Sequence, residues 1–127
     1  MADWATSDHP AVQAQLDRLN RMSPGRDILG HERLRDLLAS LGHPERSLPP
    51  TFHVAGTNGK GSTCTYLRGA IEASGKSAHV YTSPHLVRLN ERIRVANRLI
   101  SDCGLADALE EVLDSAGKNQ TTFFEAT

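Results

Sequence analysis

Apolar residues recur at helical spacing along much of the chain. Val12, Leu16 and Leu19 form one series, and Leu34, Leu37, Leu38 and Leu41 form another that stops before Gly42 and Pro44. Each series puts its apolar side chains on one face of a 3.6-residue repeat, so each predicts an amphipathic helix. A third follows from Leu67, Ala70, Ile71 and Ser74, with Gly75 where a helix commonly stops. Leu105, Leu109, Val112 and Leu113 give the fourth, which Ser101 or Asp102 can cap and Gly117 ends. Between the first two helices, residues 22–30 contain Ser23, Pro24 and Gly25 and read as a loop.

The strand signals are shorter. Pro49 and Pro50 cannot donate backbone hydrogen bonds, so regular structure is expected only after them, with Phe52, His53, Val54 and Ala55 as a buried strand. Ala78, His79, Val80, Tyr81 and Thr82 predict a second strand. Residues 83–100 keep no sustained period and read as a long, partly ordered loop with strand character near residues 92–95. Thr121 to Glu125 opens a further element. Strand, glycine loop, helix, strand and later helix is the order of a parallel α/β sheet with flanking helices, whose ligands gather beyond the carboxyl ends of the strands. Such a sheet normally has more than two strands, so the fold is expected to be an incomplete one.

Composition narrows the partners. The 127 residues carry a formal net charge of -1, with 39% hydrophobic, 23% charged and only 5% aromatic residues. That is the balance of a globular domain, without the positive excess or stacking rings that nucleic acid would require. Nothing approaches the roughly 20 apolar residues of a membrane span, and the first ten residues lack the basic and apolar runs of a secretory signal. Cys64 and Cys103 have no metal-site spacing and read as reduced thiols, which fits a cytoplasmic protein.

The sharpest chemistry lies in Gly56-Thr57-Asn58-Gly59-Lys60-Gly61-Ser62-Thr63, between an apolar run and a helical pattern. Glycines let several backbone N–H groups converge on phosphate oxygens while the next helix points its positive end at the same place. Lys60 brings charge for the β and γ phosphates, and Ser62 or Thr63 a hydroxyl. The strict Walker A pattern is not met: Val54 stands at its first glycine and Gly61 separates Lys60 from Ser62. A plain strand-to-helix turn is the alternative.

This loop resembles that of Mur ligases, and its asparagine and second glycine resemble the folate branch of that superfamily. Thr82-Ser83-Pro84-His85-Leu86, Asn90-Glu91-Arg92-Ile93 and Thr122-Phe123-Phe124-Glu125-Ala126-Thr127 follow in the order of the dihydrofolate synthase/folylpolyglutamate synthase family, and the resemblance runs from about Ile28 to the last residue. It implies a P-loop-type, Mur ligase ATPase-like fold, with residues 1–127 as the amino-terminal part of the ATP-binding domain and a carboxyl-terminal domain lying outside them. It also implies a monomer that uses ATP and Mg²⁺ to add L-glutamate to dihydropteroate or folates through an acyl phosphate.

Residue by residue, the resemblance assigns Gly56, Thr57, Asn58, Gly59, Lys60, Gly61 and Ser62 to the triphosphate, with Lys60 also catalytic, and Ser83 to Mg²⁺. Arg88 and Arg92 would meet anionic substrate groups. Thr122, Phe123, Phe124 and Glu125 would border the pterin, and Asp27, Ile28 and Leu29 would contribute to the dihydropteroate pocket. Each has a plainer reading: a Ser-Pro turn at Ser83, an exposed charged stretch over Arg88, Glu91, Arg92 and Arg94, and core packing plus a surface carboxylate at Phe123 to Glu125. His85 is given no catalytic role. The resemblance further implies Mg²⁺ ligands, a modified lysine and a glutamate site beyond these residues, so the 127 residues alone are expected to bind nucleotide without catalysis. A Mur ligase acting on a peptidoglycan nucleotide is the other reading of the loop.

Overall fold

The structure, a computed structural model, describes residues 6–23, 31–117 and 120–127. The chain divides into two compact units, one made of Met1–Pro50 with Asp102–Thr127, the other of Thr51–Ser101.

The first unit is helical. It contains α1 (Pro10–Met22), α2 (Glu32–Ser40), a 3₁₀ turn (Pro44–Ser47), α4 (Asp102–Ala116) and α5 (Phe123–Ala126), while α3 (Lys60–Ala73) belongs to the other unit. The apolar stripes that predict α1 and α4 are the surfaces that pack: Val12, Leu16 and Leu19 of α1 and Leu105, Leu109 and Leu113 of α4 are all at most 2% exposed. Full burial of each such side chain is worth about 1.5–3 kcal/mol, which makes this helix pair the main store of stability in the unit. Leu19, Leu113 and Ala126 form a cluster against which Met22, Val112 and Phe123 pack, so the short α5 is seated on the α1/α4 core. At the rim Arg18 pairs with Asp114 at 2.7 Å.

The second unit contains α3, β1 (Val80–Tyr81), a 3₁₀ turn (Leu89–Arg92), β2 (Ile93–Val95) and β3 (Arg98–Leu99). Its sheet corrects the expected parallel architecture. The order is β1-β2-β3 and both pairings are antiparallel, with Val80 opposite Arg94, Tyr81 opposite Ile93, and Val95 opposite Arg98. A parallel ladder would have joined residues 52–55 to β1 across α3, but Phe52 to Ala55 have no regular secondary structure, and β1 pairs instead with β2. The link from β2 to β3 is the two residues Ala96 and Asn97, at φ +46° and +70°. Positive φ at both central positions gives a turn whose twist suits a hairpin, and so short a link allows only antiparallel strands. Asn97 also ties the hairpin to β1: its side-chain oxygen accepts the Ala78 amide at 2.6 Å and its own amide donates to the Ala78 carbonyl at 3.0 Å.

The helices end where their sequence pattern stops, α3 before Gly75 and α4 before Gly117. Among the described residues no helix is long and apolar enough to cross a membrane. Cys64 and Cys103 are both free thiols.

Candidate functional site

Residues 56–59 run exposed into α3. Gly56 lies at φ +148° and Gly59 at +75°, conformations that side chains with a Cβ rarely adopt. Gly59 is the residue before the helix, and no side chain caps that end; its first turn carries no acidic residue either. The first backbone N–H groups of α3 have no partner within the helix and carry its positive end, which is the requirement for an anion. Lys60 folds back over the loop, its Nζ donating to the Gly56 carbonyl at 2.7 Å and to the Thr57 carbonyl at 3.3 Å. The Thr63 hydroxyl donates to the Gly59 carbonyl at 3.0 Å, whereas Ser62 is exposed in the first turn. Gly61 bears on the fit of a phosphate. Its φ is not positive and, among the described residues, an added Cβ would meet nothing within 4 Å, although glycine weakens a helix by up to about 1 kcal/mol.

Ser83 follows β1, is exposed, and precedes Pro84 through a cis peptide. One hydroxyl cannot hold a hard cation by itself. Among the described residues no group of three or more His, Cys, Asp or Glu side chains is placed to bind a metal. The residues present fit a nucleotide's phosphates and do not by themselves fit a magnesium ion.

The loop after Ser83 is held at two points. The Glu91 carboxylate accepts the amides of Leu86, Val87 and Arg88 at 2.8, 3.1 and 2.9 Å. The Leu86 amide does most to hold its pKa below the ordinary carboxylate range, followed by that of Arg88. Arg92, only 2% exposed, donates from Nε to Nδ1 of His85 at 2.9 Å. Burial, and next the Arg92 charge, push the His85 pKa down, with Glu91 pulling the other way. Of the two arginines expected to face anionic substrate groups, Arg88 is exposed and Arg92 is buried.

Thr122 to Glu125 lie in the helical unit. Thr122 caps α5: its hydroxyl accepts the Glu125 amide at 3.3 Å while Glu125 Oε2 accepts the Thr122 amide at 2.8 Å. The rings of Phe123 and Phe124 meet edge to face, 5.9 Å apart at 82°. Phe123 packs on the core and Phe124 is 69% exposed. Asp27, Ile28 and Leu29 lie outside the described residues. The structure thus brings the phosphate loop, Ser83, Arg88 and Arg92 into one unit and Thr122 to Glu125 into the other. Sequence reasoning missed Arg33, whose Nη2 reaches Glu125 Oε1 at 3.1 Å, and the bracing role of Glu91. The Thr122-x-x-Glu125 spacing is the signature of a capping box and was a readable signal.

No family model matches the chain. Among individual proteins, the dihydrofolate synthase/folylpolyglutamate synthase of Bacillus subtilis is 41% identical over 102 residues, covering 76% of this chain and 24% of that protein. Among solved structures, Escherichia coli FolC in complex with DHPP and ADP superposes with a TM-score of 0.81 at 34% identity, over 94% of this chain and 28% of that one. The bifunctional folylpolyglutamate synthase/dihydrofolate synthase of Yersinia pestis, complexed with AMPPNP and a Mn ion, gives 0.80 at 33% identity, over 99% of this chain and 30% of that one. With the uncapped glycine loop, these likenesses define a protein of the Mur ligase superfamily. Within it, the chain belongs to the dihydrofolate synthase/folylpolyglutamate synthase family. It spans at most about a quarter of the length of the curated relatives it matches, 24% of the Bacillus subtilis protein and 10% of one from Halobacterium salinarum.

Proposed function

We propose that this chain supplies the nucleotide-binding part of an ATP-dependent ligase that joins L-glutamate to dihydropteroate or folates, with residues 1–127 as the amino-terminal part of its ATP-binding domain. The observation that carries the reading is the uncapped start of α3, where Gly59 turns the chain and the Lys60 ammonium lies over the loop carbonyls. Thr57, Asn58 and Gly59, with the amides of Lys60, Gly61 and Ser62, receive the triphosphate. Lys60 neutralises charge as the γ-phosphoryl group passes to a carboxylate of the pteroate substrate. The amine of glutamate then attacks the acyl phosphate, and ADP and phosphate leave. Magnesium bound with ATP would add positive charge at the phosphates; Ser83 would lend it one hydroxyl, the further protein ligands lying, as the resemblance implies, beyond these residues.

Arg88, exposed on the braced loop, meets a substrate carboxylate, and Arg92 stiffens that loop from beneath. Phe124 offers its face to the pterin, and the family resemblance assigns Asp27, Ile28 and Leu29 to the dihydropteroate pocket. A second reading, that the 127 residues bind nucleotide without catalysing, is favoured by the lack of a metal-ligand cluster among the described residues. Calorimetry with Mg-ATP, on the chain and on Lys60→Ala, tests the common part. Glutamate-dependent ADP release from dihydropteroate separates the two readings: turnover supports the ligase, and nucleotide uptake without turnover supports the binding fragment. Absence of nucleotide uptake defeats both.

A further inference from the structure

Arg33 and Glu125 stand 92 positions apart in sequence and meet between α2 and α5. Arg33 Nη2 donates to Oε1 of the carboxylate at 3.1 Å, and Oε2 takes the Thr122 amide at 2.8 Å, so both oxygens are engaged by the protein. The Glu125 side chain is only 13% exposed and that of Arg33 26%. Burial alone raises the carboxyl pKa, but the Thr122 amide and the Arg33 guanidinium outweigh it and hold the group ionised below its ordinary range.

A helix of four residues cannot sustain itself, because nucleation fixes more backbone than a single turn returns in hydrogen bonds. The setting of α5 therefore depends on its attachments: the Thr122 capping box, Phe123 and Ala126 in the core, and Arg33. Successive helical residues point about 100° apart, and with Phe123 packed on the core Phe124 is left 69% exposed.

We propose that Arg33 is a positioning residue for the aromatic end of the substrate. By holding Glu125 it fixes α5 so that Phe124 stands as an apolar platform for a planar heterocycle of the pterin class. Glu125 then acts as a brace for that platform rather than as an acceptor for the ligand. The proposal rests on the ligase reading.

The experiment is a fluorescence titration with pteroate of the unmodified chain and of Arg33→Met, Arg33→Lys and Phe124→Ala, with Mg-ATP calorimetry and thermal melts on each. The loss of a charged hydrogen bond predicts that Arg33→Met weakens pteroate binding about tenfold, with Phe124→Ala weakening it at least as much. Arg33→Lys recovers most of the affinity, and Mg-ATP affinity is the same in all four. Pteroate binding by Arg33→Met equal to that of the unmodified chain overturns the proposal while leaving the ligase reading intact. So does joint loss of pteroate and Mg-ATP in Arg33→Met, or failure of Arg33→Lys to recover. An unmodified chain that takes up Mg-ATP but not pteroate removes the substrate reading, and the proposal falls with it.

Discussion

Arg92 Nε donates to Nδ1 of His85 across 2.9 Å, which makes Nδ1 the acceptor and leaves the imidazole proton on Nε2. The charged stretch around Arg92 is therefore not a uniformly solvated surface. Arg92 is 2% exposed, and its hydrogen bond spans the seven positions back to the residue after Pro84.

Removing the guanidinium should show in stability. Arg92→Met keeps much of the apolar stem but deletes the donor, and a lost hydrogen bond from a charged group costs about 1.5–3 kcal/mol. The expected outcome is a lower melting temperature for Arg92→Met and a smaller drop for Arg92→Lys, whose ammonium cannot reproduce the geometry of Nε. A melt of Arg92→Met that matches the unmodified chain would show that the bond contributes nothing.

Glu91 gives a prediction that depends on pH. Its pKa is depressed in the folded chain, chiefly by the Leu86 amide and then by that of Arg88. A depressed carboxyl stabilises fully above its unfolded pKa, and the contribution is lost as pH falls through the folded one. Protection of the Leu86, Val87 and Arg88 amides should be full near neutrality and fade below the ordinary carboxylate range. Glu91→Gln retains one acceptor oxygen. Hydrogen exchange should then run about fivefold to tenfold faster at neutral pH and lose its acid dependence.

Helices α1 and α4 were legible in the sequence because each is decided by an apolar stripe that packs: Val12, Leu16 and Leu19 announce α1 as plainly as Leu105, Leu109 and Leu113 announce α4. The sheet was not. A short apolar run such as Phe52 to Ala55 fixes no partner, and pairing is a matter of tertiary structure. β1 pairs with β2, and β2 turns back into β3 through Ala96-Asn97, a turn that lacks the usual glycine. The phosphate loop was readable because its glycines and lysine are contiguous. Arg33 was not, because its partner lies 92 residues away.

That turn leads to a third prediction. Ala96 sits at φ +46°, where its Cβ crowds the backbone at a cost of roughly 1–2 kcal/mol. Ala96→Gly removes the strain at some entropic cost in the unfolded chain, so a net gain of up to about 1 kcal/mol is expected. Chemical denaturation followed by a probe in residues 51–101 measures it. A destabilised Ala96→Gly would show that the positive φ is not the dominant cost.

Gly61 separates folding from binding. It lies inside α3, its φ is not positive, and an added Cβ would meet nothing within 4 Å. Alanine there should stabilise the helix by about 0.5–1 kcal/mol, because it loses less backbone freedom on folding. The same methyl group stands among the amides proposed to receive phosphate, where it blocks close approach of the oxygens. Gly61→Ala is therefore expected to melt higher than the unmodified chain yet bind Mg-ATP about tenfold more weakly, the loss of one charge-assisted contact. Calorimetry and a thermal melt on the same sample decide it. A rise in stability with nucleotide affinity unchanged would mean that phosphate does not approach the chain at this turn, and the loop would have to receive its anion elsewhere.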